Sequence, residues 1–224
     1  MKKDYPFRTG SYNRLYQSLL FLYYESARRV PKQVLENGIN GFAQNALASF
    51  VVAATAWESY LNFIFFTPWA RTYFGDNAFK QLSELGSELT KLSTLEKTRA
   101  LPLIAFGKTY SKGDVPFQDL AILIKIRNRI VHDWMDQIPA NEIEALRSKH
   151  LLLEMPQFPS KAWNEEILTL ECIRWCINVL NELNEALFEM SPFKTKNTTK
   201  IFFHKFTESQ ARVFLKTGKY PFAV

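Results

Sequence analysis

Apolar residues recur along most of this chain at intervals of three and four positions, the spacing of a helix that buries one face. Leu15, Leu19 and Leu22 show it in the first segment, residues 11 to about 29, which Pro31 is expected to close. The same spacing predicts further helices over about 41–66, 79–92, 95–106, 116–137, 140–153 and 160–190, and a short one from 207. The sequence therefore predicts an all-α helical bundle.

No internal repeat, low-complexity tract or Gly/Ser linker divides the chain, so one domain over 1–224 is the simplest description. Within it, Pro102 is expected to bend or split its helix. Pro116 is expected to open the next helix, with Asp119 as the carboxylate of its first turn. Strand-like alternation is confined to a weak candidate at 200–203. The long helix predicted over 160–190 is expected to pack as an additional helix of the bundle.

The predicted helix over 47–66 is apolar enough to resemble a membrane span. It carries Glu58 and Asn62 near its middle. A carboxylate at the centre of a bilayer costs about 2.5 to 3.5 kcal/mol. We therefore expect a core helix, in which Trp57 and Tyr60 are packing residues, and no membrane partner.

The formal net charge of +6 makes an anionic partner plausible without identifying one. The two cysteines, Cys172 and Cys176, stand four apart on a predicted helix, where a disulfide has poor geometry. They are expected to be small core residues, and no cluster of metal ligands is evident. The start of the sequence also lacks the apolar run of a secretory signal. The expected compartment is therefore the cytoplasm, and no metal or cofactor is expected.

Polar side chains interrupt an apolar helix between Arg127 and His132. Asn128 and His132 are four apart, so they share a face and are placed to form a side-chain hydrogen bond. Lys125, Arg129 and His132 form a second row at spacings of four and three. Arg127 lies about 140° around the helix from His132, within reach of a long side chain. This segment is the strongest candidate for a site.

These residue types suit chemistry at a phosphate. Arginine offers a two-pronged donor to phosphate oxygens, and histidine relays protons near neutral pH. RNA supplies its own nucleophile, the 2′-hydroxyl, so an arginine and a histidine would suffice without a metal. A solvated basic face with a half-buried histidine gives the same pattern, so the spacing alone does not decide.

The segment from Arg127 to His132 resembles the Arg-x(4–6)-His signature of HEPN-domain proteins, in which a polar residue commonly follows the arginine, as Asn128 does here. Residues 53–64 are similar to the long early helix of that family, and 95–108 and 116–132 to the run-up to its signature. The likeness covers roughly 42–134, and the C-terminal part is compatible with it.

The resemblance implies a metal-independent endoribonuclease with a toxin or phage-defence role. Homodimers of this kind line one cleft with both signature helices. Arg127 and His132 would be the catalytic pair, with Asn128 beside them, and the products would be a 2′,3′-cyclic phosphate and a 5′-hydroxyl. Lys125 and Arg129 would contact RNA. One branch of the family has a tyrosine two positions after the histidine; Trp134 stands there, which argues against neutralisation by modification of that tyrosine.

Supporting roles are less specific. Glu58 is the best candidate to orient Arg127 or His132, although it would equally serve as a carboxylate paired with any arginine. Lys97 and Arg99 are expected to be solvated. The basic segment 194–205 is a candidate for phosphate contacts or a solvated loop. A free ribonuclease would harm its host, so an antitoxin or sensor partner is also expected.

Two other functions fit the same sequence. A non-catalytic member of the family would bind RNA or protein as a helical scaffold, with its polar groups spread over a surface or locked in internal ion pairs. A nucleotide-binding sensor would need an enclosed pocket with aromatic walls.

Overall fold

The computed structural model describes residues 11–36, 40–132, 140–149, 151 and 170–191. Every regular element in these ranges is an α-helix, which confirms the all-α prediction for this part of the chain. The helices are α1 (Ser11–Glu36), α2 (Asn40–Phe66), α3 (Pro68–Glu84), α4 (Gly86–Lys91), α5 (Thr94–Phe106), α6 (Val115–Val131), α7 (Ala140–Arg147) and α8 (Leu170–Met190). The predicted elements at 200–203 and from 207 lie outside the described residues.

Helix α2 is the centre of the core and packs against α1, α3, α5, α6 and α8. Small side chains on α2 allow so many helices to pack against it. Ala53, Ala54 and Ala56 are fully buried, and they let the backbones of neighbouring helices approach closely. Trp57 is also fully buried, and its indole N–H donates to Thr98 Oγ1 at 2.9 Å. With Tyr60 buried as well, the prediction that these two aromatics belong to the core is confirmed.

Part of α2, Asn45–Phe66, is long and apolar enough to cross a membrane by length and composition. It is the one such stretch among the residues that the structure describes, and half of it is buried inside the protein. Those buried positions are contacts with other helices, as expected of a core helix.

Several predicted helix ends are wrong. Helix α1 does not stop at Pro31 but continues to Glu36, because a proline removes one intrahelical hydrogen bond without preventing helical turns on either side. The predicted end of α5 at Phe106 is confirmed, before the left-handed Gly107, but Pro102 does not split the helix. The helix predicted over 140–153 ends at Arg147. Helix α6 ends at Val131; the remainder of its predicted length lies outside the described residues.

The helix predicted over 79–92 is in fact the end of α3 and the short α4. The backbone leaves helical geometry at Leu85 (φ −91°, ψ 2°) between them. Helix α3 is itself interrupted at Gly75, whose φ of 82° suits a residue without a Cβ atom. The apolar period continues across the break between α3 and α4 because both bury one face in the same core.

Three buried tyrosines tie α8 to its neighbours. The hydroxyl of Tyr16 donates to Asn181 Oδ1 at 2.8 Å, and that of Tyr60 to Asn184 Oδ1 at 2.6 Å. Tyr110 donates to the backbone carbonyl of Leu183 at 2.5 Å. Cys172 and Cys176 are buried in α8 and form no disulfide, as predicted. Helix α8 is therefore held by specific hydrogen bonds as well as by apolar packing.

We expect the fold to unfold in alkali because of these tyrosines. Burial raises the pKa of Tyr16 to about 12, and it raises the pKa values of Tyr60 and Tyr110 well above the ordinary 10.0. The unfolded chain therefore releases these protons near pH 10.0 while the folded chain retains them, and stability falls as the pH rises above that value. Circular dichroism and phenolate absorbance should report one cooperative transition, with a shallower pH dependence in Tyr16→Phe. Gradual ionisation with helicity retained would contradict the burial.

Candidate functional site

The N-terminal two-thirds of α6 is anchored in the core by Leu120, Leu123, Ile124 and Ile126, all buried. Further along, Val131 is 52% exposed. Ile130 still packs against the core at this end, so the last turn of α6 has one face in the protein and one in solvent. The polar segment from Arg127 to His132 lies on this last part of the helix.

Arg127 and Asn128 are half-buried on the last turns of α6, and neither side chain forms a hydrogen bond or ion pair with any described residue. The Nε atom of Arg127 is enclosed by protein and lacks an acceptor. Withdrawing a guanidinium from water without an anionic partner is unfavourable. An unpaired, partly enclosed arginine is therefore placed to gain from an incoming anion.

His132 is the C-cap residue of α6 and is exposed, with φ −99° and ψ 9°. Its backbone N–H donates to the carbonyl of Asn128 at 3.0 Å. The predicted bond between their side chains is not formed, because the side chain of Asn128 has no partner in the described part of the chain. Since His132 lies five residues after Arg127, the two are separated by about 7.5 Å along the axis.

Cations cluster at this end of the helix. Lys125 is exposed, and Arg129 lies in the last turn. The C-terminus of a helix is the negative end of its dipole, where cationic groups are favoured. An anionic ligand would meet that negative end, so the positive side chains around it must supply the attraction.

Glu58 is bonded to α5 rather than to α6. Its carboxylate accepts from Thr94 Oγ1 at 3.0 Å and from Lys97 Nζ at 3.3 Å. No hydrogen bond joins it to Arg127 or His132, so within one chain the predicted support of that pair is absent. Lys97 is 5% exposed at its side chain, which contradicts the expectation that it is solvated. Glu58 and Lys97 form a partly buried ion pair between α2 and α5.

Arg99 is likewise held by the fold rather than freely solvated. Its Nε–H donates to the carbonyl of Tyr110 at 3.3 Å, and its guanidinium lies 5.9 Å from the centre of the Phe117 ring. Thr109 in turn donates to the carbonyl of Arg99 at 2.7 Å. These contacts fix the loop between α5 and α6 against the helices.

Asp119 was expected to be a first-turn carboxylate of α6, but it lies beyond that turn and is buried, which the sequence analysis did not predict. Its Oδ2 accepts from the indole N–H of Trp175 at 3.2 Å, and its Oδ1 lies 2.6 Å from Lys149 Nζ. That second contact is a short ion pair in which the ammonium of Lys149 compensates the buried carboxylate. The burial of Asp119 could have been predicted from the sequence, because Asp119 lies on the same apolar face of α6 as Leu123 and Ile126.

The described residues contain no group of three histidine, cysteine or acidic side chains that could hold a metal ion. No family model, no curated protein and no solved structure matches this chain. What the C-terminal end of α6 can do chemically therefore follows from its own residues alone.

Proposed function

We propose that this protein is a metal-independent endoribonuclease of the HEPN type, acting through Arg127 and His132. The observation that supports it most is the unpaired, partly enclosed guanidinium of Arg127 beside Asn128. A scaffold in which these groups are locked in internal ion pairs would not leave Arg127 without a partner. The exposed His132 lies at the same end of α6, where a substrate can reach it.

The proposed reaction needs only side chains and the RNA itself. His132 takes the proton of the 2′-hydroxyl as that oxygen attacks the adjacent phosphorus. Arg127 stabilises the extra negative charge on the phosphorane, which then expels the 5′-oxygen. His132 returns the proton to that oxygen, which becomes a 5′-hydroxyl, and the other fragment keeps a 2′,3′-cyclic phosphate. Asn128 orients the phosphate or the imidazole.

The wider proposal follows from the same resemblance. Lys125 and Arg129 contact the RNA backbone, and the net charge of +6 favours such a partner. A second copy of the chain would bring its own Arg127 and His132 to a shared cleft, in a homodimer. The proposed setting is cytoplasmic toxin or phage defence, with an antitoxin or sensor as regulator.

The proposal predicts cleavage of RNA by the purified protein in excess EDTA. A panel of tRNA, messenger RNA and short oligonucleotides should be incubated with wild type, and the fragment ends analysed. We expect cyclic-phosphate and 5′-hydroxyl ends. Cleavage that requires a divalent cation and leaves other ends would contradict the mechanism, and binding without cleavage across the panel would favour the non-catalytic scaffold.

A further inference from the structure

An open cleft of about 740 Å³ lies between α5 and the start of α6. Its apolar lining comes from both helices and from the residue that follows α4: Leu92, Leu95, Ala100, Leu103, Phe117 and Ala121. Leu103 is 51% exposed, so this wall is open to solvent. A volume of this size is typical of sites for small organic ligands.

The cleft arises because α5 has two faces. One face, with Thr98 and Leu101, is buried in the core. The cleft-lining face repeats at the helical spacing from Leu95 to Leu103, although no described helix covers it. Apolar surface left in water is unfavourable, so this second face gains by receiving an apolar group.

Two cations border the apolar wall. Arg99 uses its Nε–H on the carbonyl of Tyr110 and stacks near Phe117, but it has no anionic partner among the residues described. Lys112 is exposed and likewise has no ion pair with any described residue. The fixed guanidinium therefore presents its terminal amino groups as unused donors.

Among the described lining residues of the cleft, the one carboxylate is that of Glu96, and it already accepts hydrogen bonds from within the chain. Glu96 Oε2 accepts from the backbone N–H and the hydroxyl of Ser93, at 2.8 and 2.7 Å, in the capping box that begins α5. These hydrogen bonds lower the pKa of Glu96, which keeps it ionised at the helix cap. The described lining of the cleft therefore has two cationic side chains and one carboxylate that is already hydrogen-bonded. This charge balance favours a negatively charged ligand.

We propose that this cleft binds a small amphiphilic anion, with a carboxylate or phosphate headgroup and an unbranched or aromatic apolar body. The headgroup pairs with Arg99 and Lys112, and the body lies along Leu95, Leu103 and Phe117. The site is distinct from the proposed catalytic end, because Phe117 and Arg127 are about 15 Å apart along α6. It does not depend on the ribonuclease proposal.

The test is calorimetric titration of the full chain with decanoate, decyl phosphate and neutral decanol, all below micellar concentrations. We expect one site that binds at least one of the two anions and binds decanol more weakly. Lys112→Gln and Arg99→Gln should each weaken anion binding by about tenfold, the loss of a charge-assisted hydrogen bond. The preferred anion identifies the headgroup.

The matched control is Lys108→Gln, since Lys108 is exposed on the same loop but does not line the cleft. It should bind like wild type. Arg99→Gln also removes the hydrogen bond to the Tyr110 carbonyl. If that variant misfolds, Lys112→Gln decides, because Lys112 is exposed and has no hydrogen bond or ion pair with any described residue. Absence of anion binding, equal affinity for decanol, or unchanged affinity in Lys112→Gln would overturn the proposal.

Discussion

His132→Ala and Arg127→Ala are each expected to lower the single-turnover rate of RNA cleavage by about a hundredfold or more. The first removes the group that accepts and returns the proton. The second removes the charge that stabilises the phosphorane. Arg127→Lys should recover only part of the loss, because an ammonium retains the charge without the planar fork of the guanidinium.

The variants and the wild type must be shown to be equally folded before their cleavage rates are compared. His132 is exposed, so its replacement should leave the melting temperature unchanged. Arg127 is half-buried and unpaired, and its replacement should cost little stability because no hydrogen bond is lost. Arg14→Ala, an exposed arginine on α1, is the control and should cleave like wild type. Rates equal to wild type in both site variants would place the chemistry elsewhere.

Glu58→Ala is expected to destabilise the fold by about 2 to 3 kcal/mol, because it leaves the buried ammonium of Lys97 unpaired. The cost falls below that of a fully buried pair because the Glu58 side chain is 36% exposed. Replacing the lysine as well, in Glu58→Ala with Lys97→Met, should restore most of the stability. Urea unfolding of the two single variants and the double variant measures this coupling.

The exposed pair of Glu88 and Lys91 is the matched control, and Glu88→Ala should cost less than about 1 kcal/mol. Glu58→Ala also separates two roles for this carboxylate. If Glu58 only joins α2 to α5, stability falls while cleavage per folded molecule is retained. Lost cleavage with unchanged stability would instead mean that Glu58 supports Arg127 or His132, for example across a dimer, and would contradict the structural role assigned here.

The helices were largely predictable because each buries one face, and burial of one face requires apolar residues at every third or fourth position. Their ends were less so. Proline at position 31 disfavours a helix by about 3 kcal/mol or more, which packing of the surrounding turns can offset. The break at Leu85 is followed directly by Gly86, a residue type that often ends helices, but the apolar period continues across the break and conceals it. Local residue preferences do not include the free energy of packing against other helices, so they do not predict where such helices end.

Side-chain partners were harder to predict than elements. Glu58 and Lys97 are 39 residues apart in sequence, and Asp119 and Trp175 are 56 apart. No local period encodes which charges meet across a bundle. The candidate site was predictable in a narrower sense: one helix carries Arg127, Asn128 and His132, so their proximity along the chain needs no tertiary information. That they act on RNA stays a prediction.

The most direct test of this account compares wild type with His132→Ala on one defined RNA, in excess EDTA and at matched folding and oligomeric state. We predict fragments with 2′,3′-cyclic phosphate and 5′-hydroxyl ends from wild type alone. Identical fragments from both proteins would contradict the assignment of His132, and intact RNA from both, across the whole substrate panel, would contradict the proposed ribonuclease.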